Sequence, residues 1–173
     1  MKKEALHFQS TPSPLWGGIK GGGLMTPDEL EAYLRDHIPL VQAMQLSVVS
    51  IADDAVVLAA PLAPNINQHH TLFGGSASAV AIVAAWSLLH VRMLARGLEG
   101  DLVIQRNAME YLAPVTGAFT ARSFFEPEAD WDGFVRMFTR RGRARMAVGA
   151  VLEFEGRDAG RLRGEFVALT KSR

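Results

Sequence analysis

The residues best suited to chemistry are concentrated in one stretch, Asn67 to Ser76, which reads NQHHTLFGGS. Its two histidines could exchange a proton near neutral pH, and its asparagine could orient a water molecule or a carbonyl group. It ends in Gly74-Gly75, where the lack of side chains would let a ligand approach backbone N–H groups. These residue types could together hold a carbonyl group and a water molecule.

The glycine pair opens a long apolar segment that predicts a buried helix. A helix N-terminus offers unpaired N–H groups and a positive dipole end. We expect the amides of Gly75 and Ser76 to stabilise an oxyanion, a role in which losing one donor costs ~10²–10³-fold in rate. Alternatively, the glycines only form a tight turn into the helix. Ser76 and Ser78 lack the elbow motif of a nucleophilic serine.

Other candidate side chains have a functional and a structural interpretation each. His69 or His70 could be the general base, or an exposed loop residue. Asn65 and Asn67 could position water or substrate, or bond to their own loop backbone. Glu110, in the strand after the helix, could bind substrate or be an exposed carboxylate. Two adjacent histidines are too few ligands for zinc, so we expect no metal and no cofactor.

Basic residues are concentrated towards the C-terminus. Residues 1–130 contain 8 basic and 13 acidic residues, and residues 131–173 contain 10 and 5. Arg141, Arg143 and Arg145 alternate, so in a strand they would share one face. Arginine suits phosphate oxygens, and Arg143 and Arg145 could therefore hold the phosphates of a CoA nucleotide. The alternative is a solvated strand face.

Composition sets limits on the class of protein. The 173 residues fit one domain, and the absence of cysteine excludes disulfides and a thiolate nucleophile. The net charge of zero argues against nucleic-acid binding. The apolar run Ala77 to Leu89 is short for a membrane span, and the start lacks the apolar region of a secretion signal. We expect a cytoplasmic protein with no membrane segment.

The pattern of elements predicts an α+β domain from residue 25 to 173, preceded by a Pro/Gly/Ser-rich, disordered tail at 1–24. Thr26 is the expected N-cap of a first helix, Pro27 to His37. A long central helix should run from about Ser76 to Arg96. Residues 132–138 fit a helix or a strand. The predicted strands are Leu46–Ile51, Ala55–Ala60, Leu102–Leu112, Ala118–Phe125, Arg140–Phe154 and Arg161–Thr170. Five or six mostly antiparallel strands would thus wrap the buried helix.

Several motifs, in this order and spacing, resemble the hotdog-fold thioesterases. They are Pro61–Asn65, Asn67–Ser76, Glu110–Gly117, Gly142–Arg145 and Gly164–Val167. Residues 25–169 are similar to the putative thioesterase domain that forms the C-terminal half of YiiD acetyltransferase-like proteins. The resemblance implies a hotdog fold, an acyl thioester substrate, and a site shared between subunits of a homodimer or a dimer of dimers. Phe73, Gly74 and Ser76 would then contact the substrate.

One departure from the pattern bears on activity. In the phenylacetate-type branch, a histidine precedes the two glycines and an aspartate follows on the helix. Phe73 and Ile82 stand at those positions here, and only Asn67 matches. Hydrolysis of an acyl-CoA or acyl carrier protein thioester is the first interpretation. A non-catalytic acyl- or acyl-CoA-binding module that has lost the helix-borne acid is the alternative, and a hydratase or dehydratase is a distant third.

Overall fold

The computed structural model describes residues 25–170, so the predicted tail at 1–24 lies outside the described residues. A six-stranded antiparallel sheet with strand order β1-β2-β4-β5-β6-β3 packs around one long helix, α3. The α+β hotdog architecture predicted from the sequence is confirmed. The helices are α1 Pro27–His37, α2 Pro39–Ala43, α3 Gly74–Ala95 and α4 Trp131–Arg141. The strands are β1 Ser47–Ile51, β2 Val56–Ala60, β3 Asp101–Tyr111, β4 Phe119–Phe125, β5 Arg143–Phe154 and β6 Arg157–Leu169.

Helix α1 begins where its capping residues predict. The Thr26 hydroxyl accepts a hydrogen bond from the Glu29 N–H, and the Glu29 carboxylate accepts one from the Thr26 N–H. These reciprocal bonds satisfy two N–H groups that the helix leaves unpaired. The same bonds hold the pKa of Glu29 below its usual value. Leu30 and Leu34, four residues apart, bury the inner face of α1 in the core.

Helix α3 forms the centre of the core because its residues are apolar and mostly small. Its alanines and valines let the sheet approach on several sides, and the helix packs against β2, β3, β4, β5 and β6. By length and composition, α3 is the one helix in residues 25–170 that could cross a membrane, but 67% of its most apolar window is buried inside the domain. It is longer than the apolar run Ala77–Leu89 on which the expectation of no membrane segment rested.

Strands β5 and β6 form the longest hairpin of the sheet. Their turn at Glu155-Gly156, where both residues have positive φ, matches the sequence prediction. The other side of β6 pairs with β3 over most of its length. Strand β3 is therefore an edge strand, with its outer side open.

The ambiguous segment at 132–138 belongs to α4. Asp130 accepts a hydrogen bond from the Gly133 N–H, and Gly142 ends the helix in the left-handed conformation with φ 63°. Strand β5 therefore starts at Arg143, and the prediction that it begins at Arg140 was wrong. The same is true of the prediction that Arg141 shares a strand face with Arg143, because Arg141 is the last residue of α4.

Candidate functional site

Helix α3 begins at Gly74, so both glycines lie in its first turn. The first backbone bond that closes the helix is donated by the Ala77 N–H to the Phe73 carbonyl, at 2.9 Å. Within residues 25–170, the N–H groups of Gly74, Gly75 and Ser76 have no hydrogen-bond acceptor. Phe73, at the N-cap, supplies no side-chain bond either. Three N–H donors at the positive end of a 22-residue helix are therefore free to bind an oxygen atom.

A cavity of about 330 Å³ opens beside these donors. It lies between the first turn of α3 and the segment that follows β3. Gly74 and Ala77 form its helical side, and Tyr111 and Leu112 form part of the opposite side. The remaining lining residues are Leu72, Ala113, Pro114, Val115, Leu152 and Ala159. The walls are mostly apolar, which suits a thin hydrocarbon or pantetheine-like group.

Tyr111 ties the end of β3 to the start of α3. Its hydroxyl donates a hydrogen bond of 3.0 Å to the Gly74 carbonyl, and a side chain on Gly74 would meet the Tyr111 ring. Although Tyr111 belongs to a recognised motif, it was not among the predicted site residues. The contact arises from the pairing of β3 in the sheet, so spacing along the chain gives no sign of it.

Phe73 lies over the first turn of α3. Its ring occupies the space that any side chain at Gly75 would need. The ring is 54% exposed, so it can rotate away without disturbing the core. Phe73 thus stands beside the free N–H groups, which is compatible with its predicted contact with substrate.

Asn67 organises the loop that leads to the glycines. Its side-chain oxygen accepts hydrogen bonds from the His69 N–H at 2.8 Å and the Thr71 N–H at 3.2 Å. Its amide nitrogen donates to the Thr71 hydroxyl at 2.9 Å and the Leu72 carbonyl at 3.3 Å. The interpretation of Asn67 as a turn residue therefore accounts for both ends of its amide. Its predicted catalytic role stays a prediction.

Asn65 lies too deep to contact a substrate in this conformation. It is 1% exposed, and its amide nitrogen donates to the carbonyls of Met44 and Pro61. Its backbone carbonyl accepts the Phe73 N–H at 2.8 Å. Asn65 thus joins α2, the β2–α3 loop and the start of α3, so its positioning role is structural.

The two loop histidines do not line the cavity. His69 and His70 are both exposed, and His70 adopts a positive φ of 59°. Glu110 also lies outside the cavity, because it neighbours Tyr111 in β3 and successive side chains of a strand point to opposite faces. The cavity walls contain no histidine or carboxylate. In residues 25–170, no group of three His, Asp or Glu could hold a metal.

Arg143 and Arg145 are exposed at the opposite end of β5 from the cavity. Leu152 lines the cavity, and the seven to nine residues between them correspond to about 23–30 Å of extended strand. One chain therefore does not bring these arginines to the first turn of α3.

Within residues 25–170, the one buried histidine is also remote from the cavity. His90 lies about 24 Å along α3 from Gly74. It stacks between Tyr33 and Trp86, with ring centroids 4.8 and 4.4 Å away. Burial, with a smaller effect of the nearby His37, lowers the pKa of His90 to about 4. It is therefore neutral at physiological pH and unsuited to exchanging protons there.

Comparison with known proteins identifies a family and supports the fold. The profile of a family described as "Putative thioesterase (yiiD_Cterm)" matches residues 27–170. A protein of unknown function from Chlorobaculum tepidum is 30% identical, with a TM-score of 0.78 over 84% of this chain and 98% of that one. A putative thioesterase from Shewanella oneidensis is 28% identical, with a TM-score of 0.74 over 83% and 96%.

A more distant structure, a thioesterase from Haemophilus influenzae, has a TM-score of 0.68 over 86% of this chain and 94% of that one. At 14% identity it is evidence of the shared fold alone. The family profile extends over α1 to the end of β6, and so includes both the helix N-terminus and the cavity. This chain belongs to the putative thioesterase family named after the C-terminal part of yiiD.

Proposed function

We propose that this protein hydrolyses an acyl thioester, carried by CoA or by acyl carrier protein, at the first turn of α3. The observation that carries the proposal is the set of free N–H groups at Gly74, Gly75 and Ser76 beside an apolar cavity. The thioester carbonyl would point at the Gly75 and Ser76 amides, with the chain beyond it in the cavity. Water adds to the carbonyl carbon, the amides stabilise the oxyanion, and collapse of the intermediate releases the thiol and the carboxylic acid.

Activation of the water is the demanding step, because the cavity has no side chain that is a base near neutral pH. His69 and His70 are the nearest candidates along the chain, and both are exposed to solvent. Asn67 would act through the loop that it holds together, by fixing where these histidines and Phe73 lie. Tyr111 would keep the first turn of α3 in place through its bond to Gly74.

A homodimer paired through β3 would complete the site. The outer side of this 11-residue strand has no partner within residues 25–170. An open edge of this length is suited to pairing with a second copy. Tyr111 and Leu112, at the end of β3, are 59% and 50% exposed, and both line the cavity. A partner strand there would cover the cavity mouth.

The second candidate function is binding of an acyl thioester without hydrolysis. The lack of a carboxylate or histidine in the cavity wall favours it. Both functions require the same cavity and the same N–H groups, so binding alone cannot separate them. Release of free thiol from a panel of acyl-CoA esters of increasing chain length separates them directly. If none is cleaved but acyl-CoA raises the thermal midpoint, the binding function is correct.

Replacing Ser76 by proline tests the role of the amides. Proline is tolerated in the first turn of a helix, where its missing N–H has no helical acceptor. Ser76→Pro should lower kcat ~10²–10³-fold, the loss expected for one oxyanion donor. Ser76→Ala retains the N–H and is the matched control, with nearly normal turnover. Equal rates in the two variants, with equal thermal midpoints, would refute this placement of the oxyanion.

A further inference from the structure

A second and larger concavity lies at the other end of the domain, between α4 and residues 143–147 of β5. Its volume is about 880 Å³. It is next to the C-terminal end of α3, because Trp131 of α4 packs beneath Arg92 and Asp132 lies 3.7 Å from Arg96. The N-terminus of α3 is about 33 Å away along the helix. The concavity, called the arginine groove below, is thus separate from the cavity at Gly74.

Five arginines line the arginine groove. Arg136, Arg140 and Arg141 come from α4, and Arg143 and Arg145 come from β5. Arg136 lies 3.6 Å from Asp130. In the described part of the chain, the other four have no ion-pair partner. The groove therefore concentrates four uncompensated positive charges, although the whole chain has a net charge of zero.

The two acidic residues of the groove are already engaged elsewhere. Glu128 accepts a hydrogen bond of 2.9 Å from Arg163, outside the groove. Asp130 caps α4 through the Gly133 N–H. Their carboxylates are thus not available to neutralise the four free arginines. Guanidinium groups without acidic partners are suited to binding phosphate oxygens, often with two parallel hydrogen bonds.

The backbone of β5 adds further donors. Strand β4 pairs only with residues 148–153 of β5, while β6 pairs along its whole length. Residues 143–147 therefore have a strand partner on one side only, and the side without a partner is next to α4. Phe134 and Met137 line the groove as well. A ligand with several phosphates and a flat apolar base could contact the arginines, the open strand edge and this apolar part together.

We propose that the arginine groove binds the nucleotide end of coenzyme A, with its 3′-phosphate and diphosphate on the free arginines. This inference rests on the proposed function for the identity of the substrate. It also rests on the proposed pairing through β3. In such an antiparallel pair the partner's β3 runs in the opposite direction. The partner's arginine groove therefore lies at the same end of the paired sheets as this chain's cavity. Three strand spacings, about 14 Å, then separate the partner's β5 from β3.

Binding of 3′,5′-ADP to the full chain, measured by calorimetry, tests the groove without any need for activity. Arg143→Gln combined with Arg145→Gln should weaken this binding at least ~tenfold, because two charge-assisted contacts are lost. Arg35→Gln combined with Arg122→Gln changes the net charge equally, at two exposed arginines outside the groove, and should leave binding unchanged. Equal weakening in both double variants, or none in either, would overturn the proposal.

The choice of ligand identifies the source of the phosphate. If 5′-ADP or inorganic phosphate binds as tightly as 3′,5′-ADP, the groove is not specific for CoA. If only an acyl carrier protein binds in an Arg143- and Arg145-dependent manner, the groove is a protein-docking surface. Either outcome overturns the assignment to coenzyme A.

Kinetics then connect the groove with hydrolysis. The groove variant should raise KM for an acyl-CoA and leave kcat/KM for the matching acyl-N-acetylcysteamine thioester, which has no nucleotide, unchanged. A loss on both substrates would mean that the arginines support the fold or the cavity instead. If neither substrate is hydrolysed, the proposed function is wrong. The binding of 3′,5′-ADP still tests whether the arginine groove binds the nucleotide.

Discussion

Replacing Asn65 by alanine should destabilise the protein through one buried amide group. The Asn65 amide nitrogen donates at 3.0 Å to the Met44 carbonyl and at 2.8 Å to the Pro61 carbonyl. The side chain is almost fully buried, so water does not readily replace these bonds. Each bond contributes about 0.5–1.5 kcal/mol, and each buried carbonyl left without a donor adds a desolvation cost.

The loss of these two bonds is partly offset by the loss of an unfavourable group in the same side chain. The side-chain oxygen of Asn65 is buried and has no hydrogen-bond partner within residues 25–170, so deleting it removes an unfavourable group. We therefore expect a net loss of about 2 kcal/mol in the free energy of unfolding. For a chain of this size, that corresponds to a thermal midpoint lower by about 4–8 °C.

Urea unfolding followed by circular dichroism, at a fixed protein concentration, measures this loss. Asn65→Asp is the sharper variant, because it replaces a donor by a carboxylate that faces two carbonyl oxygens. It should be less stable than Asn65→Ala at pH 7. If Asn65→Ala unfolds like the original protein, or if Asn65→Asp is fully tolerated, the buried donor does not hold these segments together.

Three further results are expected. Asn67→Ala should lower both turnover and the free energy of unfolding, the latter by about 1 kcal/mol, since its loop bonds are lost; full turnover with only a lower thermal midpoint would make Asn67 a turn residue and no more. Light scattering at micromolar concentration should give at least a dimer, and a monomer mass of about 19 kDa would contradict the shared site. Between about pH 6.5 and 4 the unfolded chain binds a proton at His90 that the folded chain excludes. As the pH is lowered through this range, the free energy of unfolding should therefore decrease by up to about 3 kcal/mol. His90→Phe should remove that part of the pH dependence, as urea unfolding at pH 7 and 4.5 would detect.

Local signals made much of the fold predictable. The capping box at Thr26 and the turn at Glu155-Gly156 each fix a boundary through interactions within a few residues. The boundaries of α1 were therefore predicted correctly. The first turn of α3 was placed two residues late, because glycine is a poor helix former and was read as part of the preceding loop.

In helix α4, the spacing of the apolar residues does not distinguish a helix from a strand. Phe134 and Phe138 are four residues apart, and that spacing fits one face of a helix as well as one face of a strand. The buried positions therefore agree with both structures. The deciding features are the Asp130 cap and the left-handed Gly142, which only become evident once the helix is formed.

The sequence predicted the backbone of the candidate site, but it did not predict the residues that line the cavity. The glycines predict a helix N-terminus. The contact of Tyr111 with Gly74, however, depends on how β3 pairs in the sheet. Asn65 and Asn67 illustrate the same limit. Both are asparagines in a loop, yet Asn65 is buried and Asn67 is half-buried. Asn65 is buried because its amide reaches the Met44 carbonyl, 21 residues away in the sequence, whereas the side-chain bonds of Asn67 stay within its own loop.

The attacking water can be activated by a loop histidine, or hydroxide can attack directly. These two alternatives predict different dependences of the rate on pH. The N–H groups of Gly75 and Ser76 do not titrate, so they stabilise the oxyanion equally at every pH. If His69 or His70 activates the water, kcat/KM should rise with pH and then reach a plateau. If no side chain does so, attack depends on hydroxide, and log kcat/KM should continue to rise with a slope of about one. A plateau that persists in His69→Ala combined with His70→Ala would exclude both histidines and require a base from a partner subunit.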